Sequence, residues 1–179
     1  MKAIDATNEV LSIQNQFAGS IPQKNRGGAD RSGGESKGGL VEPHRKFIAH
    51  WRMKELETNA HPDSAGNDLA LHLFNDVLVF SYPYGETFAF KAMFELNNTV
   101  LFDYQRQDGS QEEIICRIVG PSNPINSQHS FICKANTREE KLKWLNLLHK
   151  TIEESKSNKI SNLNVSVVVE TEDERSTFS

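Results

Sequence analysis

The chain has 179 residues and a formal net charge of −4, enough for one domain of ordinary size with tails. A mildly acidic balance excludes a nucleic-acid binder, which needs a basic surface. No run of about 18 apolar residues exists, so no helix of this sequence spans a bilayer.

Residues 1–17 open without an apolar signal core and carry Asp5 early. Ile4, Val10, Leu11 and Phe17 sit among polar residues at roughly helical spacing, which predicts a helix. Residues 18–40 hold seven of the eleven glycines, with Pro22 and scattered charges. Such a composition cannot bury a core and predicts a flexible linker. Within it, Gly28-Ala29-Asp30-Arg31-Ser32-Gly33 has the glycine spacing of a phosphate-cradling loop. Gly34-Glu35 follows where Lys-Ser/Thr is needed, so linker is the better reading.

Residues 41–155 carry almost all the aromatics and both tryptophans, and the core belongs there. Lys46 to Leu56 alternates, with Phe47, Ala49, Trp51 and Met53 expected inward. A polar loop, Glu57 to Asp68, follows. Leu69 to Phe74 and Val77 to Ser81 are two apolar runs meeting at Asn75-Asp76, which predicts an antiparallel hairpin. Tyr82-Pro83-Tyr84-Gly85 reads as a turn. Phe88 to Leu96, Thr99 to Gln105, Glu113 to Val119 and Gln128 to Lys134 complete seven short strands, a pattern that fits an antiparallel barrel or sandwich.

Thr137 and Glu140 form a Thr-x-x-Glu capping box ahead of Leu142, Leu145, Leu148 and Ile152. This predicts a C-terminal helix, with Trp144 as a structural anchor closing the barrel. Lys141, Lys143 and Lys150 read as a solvated face. Residues 156–179 are polar, then acidic, and read as a disordered tail; its Val165–Val169 run could pair with a partner's sheet edge. Cys116 and Cys133 fall in strands and read as buried reduced thiols. The triplets Asn97-Asn98-Thr99 and Asn164-Val165-Ser166 match the glycosylation pattern by chance on this reading.

The Arg45-Lys46-Phe47-Ile48 start, the Leu73-Phe74-Asn75-Asp76 hairpin, Phe90-Lys91 and Trp144, in that order, resemble a pleckstrin homology domain. The nearest kind is the one that follows the catalytic domain of Dbl-type Rho guanine nucleotide exchange factors. The resemblance covers about residues 41–155, and residues 1–17 are similar to the end of that catalytic domain. It implies a mainly β fold, a seven-stranded antiparallel barrel capped by one C-terminal helix. It also implies a regulatory module that positions an exchange factor at a membrane or against its GTPase, with no catalysis of its own. A cytoplasmic protein follows, peripheral at the plasma membrane where it meets lipid. The partners would be a Rho-family GTPase, an anionic lipid, or both.

The candidate lipid-binding residues are Lys46, Arg52, Lys54 and Lys91. The basic pattern of tight headgroup sites is missing from the second strand, which begins Leu69-Ala70-Leu71-His72. Glu55, Glu57, Asp63 and Asp68 surround the preceding loop, so phosphoinositide binding should be weak. A stand-alone phosphoinositide-binding or peptide-binding adaptor of similar build is the alternative. No His-Glu-x-x-His, Cys-x-x-Cys or nucleophile elbow appears, so neither metal, cofactor nor enzymatic chemistry is expected. His72, among apolar residues, reads as a satisfied or edge histidine rather than a ligand.

Overall fold

A computed structural model describes residues 2–19, 21, 39–61, 63–103, 114–121, 126 and 128–176, with side chains between 5 and 160. Helix α1 (Lys2–Gln14) leads into a two-residue strand β1 (Phe17–Ala18). Seven strands follow: β2 (Phe47–Leu56), β3 (Asn67–Phe74), β4 (Val77–Tyr84), β5 (Thr87–Glu95), β6 (Val100–Asp103), β7 (Ile115–Val119) and β8 (Ser130–Lys134). A short 3-10 turn, Leu96–Asn98, separates β5 from β6. Helix α2 (Arg138–Ser176) ends the described chain.

The strands form one sheet in the order β1-β5-β4-β3-β2-β8-β7-β6. All neighbours are antiparallel except β1, which lies parallel to β5. The sheet rolls up on itself. Phe80 of β4 stacks flat on Phe131 of β8 at 4.0 Å, and Phe94 of β5 meets the same ring at 5.7 Å. The seam of this barrel lies between β5 and β6. There Asn126 imitates a strand: its side chain accepts from the Met93 amide at 3.0 Å and donates to the Met93 carbonyl at 2.9 Å.

The inner core joins Leu69, Leu71 and Leu73 to Leu78, Phe80, Phe94, Ile118, Phe131 and Trp144. Trp144 is fully buried, packed edge-on against Trp51 at 6.0 Å. Thr137 caps α2, its hydroxyl accepting from the Glu140 amide at 3.1 Å. Cys116 and Cys133 are free, buried, and direct cross-strand partners. The bond to Cys116, then burial, push the Cys133 thiol well above its ordinary pKa, which leaves it an inert core residue.

A second apolar cluster covers the outer face of the sheet. Val10, Ile13, Phe17, Ile21 and Leu40 pack on Ala70, Phe74, Val77, Val79 and Phe88. The middle of the sheet is therefore buried on both faces.

Several expectations change. Residues 18–40 mostly lie outside the described residues, the glycine-spaced Gly28–Gly33 run among them. The ends that are described are not bare linker, because Ile21 and Leu40 are buried. The segment Tyr82-Pro83-Tyr84 is strand, not turn, and the chain reverses at Gly85-Glu86. Pro83 is tolerated because the β3–β4 ladder ends at Ala70↔Ser81, so its missing N–H leaves no rung empty. Phe47 joins the outer cluster, since a register shift between Phe47 and Ala49 turns it to the other face. The helix does not stop at residue 155 before a disordered tail. It runs to Ser176, and no Gly or Pro interrupts the sequence after Thr137. Lys141 is not a solvated lysine either. It is buried and ion-paired with Asp103 of β6.

Candidate functional site

The Asn75-Asp76 turn is held from outside its own hairpin. Asn75 Oδ1 accepts from the Lys46 amide at 2.6 Å, and Asn75 Nδ2 donates to the His44 carbonyl at 2.9 Å. Arg45 donates to Asp76 from Nε (2.8 Å) and Nη2 (2.7 Å), a two-pronged carboxylate clamp. Its Nη1 donates to the Leu40 carbonyl at 2.9 Å. The motif that marks the hairpin in sequence is thus a hook that fixes the entry of β2.

The candidate lipid-binding residues do not converge. Lys46 and Lys54 stand eight positions apart along the first long strand, roughly 26 Å at about 3.3 Å per residue. Arg52 and Lys54 share the outer face of β2. Lys54 Nζ donates to Asp68 at 2.6 Å, which holds the Asp68 carboxyl below the usual range. The Arg52 guanidinium lies 6.0 Å over the Phe88 ring. Lys91 sits on the other face, 5.5 Å over the Tyr82 ring. Tyr82 in turn donates to Glu55 at 2.7 Å. Burial first, and Glu55 second, raise the Tyr82 phenol well above its ordinary value, so it remains a donor.

A cleft of about 580 Å³ opens beside Glu55, with Glu57, Arg117, Gln128, His129 and Ser130 on its walls. Gln128 Nε2 donates to Glu55 at 2.9 Å, and Arg117 Nε to Ser130 at 2.8 Å. Two carboxylates face one guanidinium here. That balance repels a multiply phosphorylated headgroup. Among the described residues no group of three or more His, Cys, Asp or Glu could hold a metal ion.

The exposed apolar surface is elsewhere. Val100 and Phe102 are 52% and 49% exposed, two positions apart and so on the same face of β6. Among the described residues β6 is the last strand of the sheet and pairs only with β7. Its end is fixed from below by the buried Lys141 on Asp103. Composition gave no hint of this patch. The signal was there as Val100 and Phe102 alternating in a short strand with no charge on their side.

Under the N-terminal segment, on the outer face of the sheet, lies a group that sequence reading did not assemble. His72 Nε2 is 3.0 Å from Ser81 Oγ, and the His50 ring stacks on His72 at 5.2 Å. Phe17 and Phe88 contact the same His72 ring at 5.2 and 4.8 Å. His72 is a satisfied histidine on a central strand, not an edge one. Burial, and secondarily His50, lower its pKa to about 4. Burial and Arg52 also lower that of His50.

No protein-family model matches the chain, and no curated protein does. Solved structures do. The chain is similar to the DH/PH domains of PDZ-RhoGEF crystallised with GTP-γ-S-activated RhoA, with 16% identity and a TM-score of 0.56 over 86% of this chain and 41% of that one. It is similar to the linker-DH/PH domains of p115-RhoGEF, with 14% identity and a TM-score of 0.56 over 85% and 41%. A Vav1 exchange-factor structure named for its PH and C1 domains matches with 13% identity and a TM-score of 0.54 over 84% and 33%. The fold is therefore of the pleckstrin homology type. The chain spans about 40% of the length of the first two of these relatives.

Proposed function

We propose that this chain is the docking and regulatory module of a Rho-family guanine nucleotide exchange factor. One observation supports this above others: the likeness takes in 86% of the chain, more than residues 41–155 make up. It therefore extends past the barrel into a flanking segment. On this reading residues 1–17 correspond to the end of a DH domain, 18–40 to a linker, and 41–155 to the PH domain, with the rest of α2 as an extension. Exchange catalysis belongs to the neighbouring domain, and the chain alone does not accelerate nucleotide release. The surface offered to the GTPase is the β6 patch. Half-exposed aromatic and aliphatic side chains on a firmly held strand are the type that anchors protein interfaces.

Membrane attraction is minor. Each cation near an anionic leaflet contributes about 1 kcal/mol. Lys54 is engaged by Asp68, and Lys91 lies on the opposite face, so even the roughly millimolar affinity of four acting together is not reached.

The test is binding of purified chain to RhoA loaded with GTP-γ-S or GDP, beside a nucleotide-release assay and liposome sedimentation. Measurable GTPase binding is expected, weakened about tenfold or about 1.4 kcal/mol by Phe102→Glu, with no acceleration of release. Failure to bind either form of RhoA, or binding untouched by Phe102→Glu, rejects the docking role. Submicromolar, headgroup-selective lipid binding would favour the adaptor alternative instead.

A further inference from the structure

The N-terminal segment is bound to the outer face of the sheet as a strap. Its helix inserts Val10 and Ile13, and its strand β1 lies beside Phe88 and Ala89 of β5, with the Phe88 amide donating to the Gln16 carbonyl at 2.9 Å. Gln14 Oε1 accepts from the Leu40 and Val41 amides and ties the far end of the strap to the entry of β2. Phe17 is the point where strap and sheet meet over the histidine stack, tilted against His72 at 5.2 Å and against Phe88 at 5.9 Å.

Among the described residues, the groups around that stack are cationic or neutral. β2 supplies His50 and Arg52, β4 supplies the Ser81 hydroxyl, β5 supplies Phe88, and the strap supplies Phe17. The nearby acid of β3, Asp68, is taken by Lys54. The α1 acids Asp5 and Glu9 are exposed, and the charges acting on the two rings are each other and Arg52. Among the described residues, a proton added to either ring finds no free carboxylate beside it. It also meets a second histidine ring centred 5.2 Å away and, for His50, a guanidinium two positions along the strand.

We propose that the His50–His72 stack is an acid-sensitive latch, whose protonation frees Phe17 and the α1–β1 strap from the sheet while the barrel beneath stays folded. Two sets of contacts are separable in this way because the strap's apolar cluster and the barrel's inner core are distinct, lying on opposite faces of β3 and β4. Acid weakens only the first. His72 sits at about 4 when latched. Release lifts the burial that the strap supplies but leaves His50 beside it, so the value rises toward the ordinary one near 6.5 without passing it, and opening becomes up to about thirtyfold more frequent at pH 5 than at pH 7.5.

Amide hydrogen exchange on the full chain, corrected for the intrinsic pH dependence, reads this directly. The reporters are the Phe88, Leu40 and Val41 amides for the strap, and Ile118 and Phe131 for the barrel. Between pH 7.5 and 5 the strap reporters should lose at least about fivefold and up to about thirtyfold protection, with the barrel reporters changed less than about threefold. The double variant His50→Gln/His72→Gln should show no such pH dependence. If His72→Gln does not fold, His50→Gln alone serves, and it should move the release to lower pH by removing one of the repelling charges. Equal loss at strap and barrel, no loss at the strap, or an unaltered pH response in either variant overturns the latch.

Discussion

Replacing Asp76 by alanine isolates the hook that fixes the hairpin. The Arg45 side chain is 8% exposed and Asp76 43%. The guanidinium spends its donors on both Asp76 oxygens and on the Leu40 carbonyl. Removing one partner of a fully buried pair costs about 3–5 kcal/mol, chiefly because the remaining charge is stranded. Asp76 is open to water, so part of the guanidinium can rehydrate through the gap, and about 2–3 kcal/mol is expected for Asp76→Ala. Arg45→Met should cost less, about 1–2 kcal/mol, because a carboxylate that is nearly half in water is left behind and an apolar stem of similar length fills the space. In the double variant no stranded charge remains. Its loss should fall short of the summed single losses by about 1.5 kcal/mol, within the range for directly contacting residues. Urea unfolding with linear extrapolation measures all four corners of the cycle. A coupling below about 0.5 kcal/mol, the size of ordinary non-additivity between distant sites, would refute the hook.

Trp144→Ala should cost about 3–5 kcal/mol by emptying the fully buried position against Trp51, and melting by near-ultraviolet circular dichroism would show it. Leu40→Ala, although it lies in what composition marks as linker, should cost about 2–5 kcal/mol in denaturant unfolding. Gly120→Ala puts a methyl 2.4 Å from Cγ of the Phe94 ring, so a loss of about 1–3 kcal/mol is expected, with thermal melting as the check.

The seven long strands and the capped helix were legible because each is marked by local pattern: alternation, the Asn75-Asp76 reversal and the Thr137 cap. The outer layer was not recognised as such, yet its trace is visible. Leu69 to Phe80 is apolar nearly throughout, with Ala70, Phe74, Val77 and Val79 where a solvated face would carry polar residues. A strand with two apolar faces needs a cover on each. What supplies the cover could not be read, since α1 lies some sixty residues upstream across a glycine-rich segment. Lys141 was misread for a related reason. Its carboxylate partner is 38 residues away, and no helical pattern reveals a contact at that separation. The basic residues looked like a site because they fall in neighbouring strands, but strand alternation sends Lys91 and Arg52 to opposite faces.

The pairing of Phe17 with Phe88 has a consequence for synthesis. The strap leaves the ribosome well ahead of the strand it must join, which is complete only some seventy residues later. At about 5–20 residues per second this is a wait of roughly four to fourteen seconds. During that interval Val10, Ile13 and Phe17 have no sheet to cover. Until β5 has paired they are apolar surface open to a chaperone.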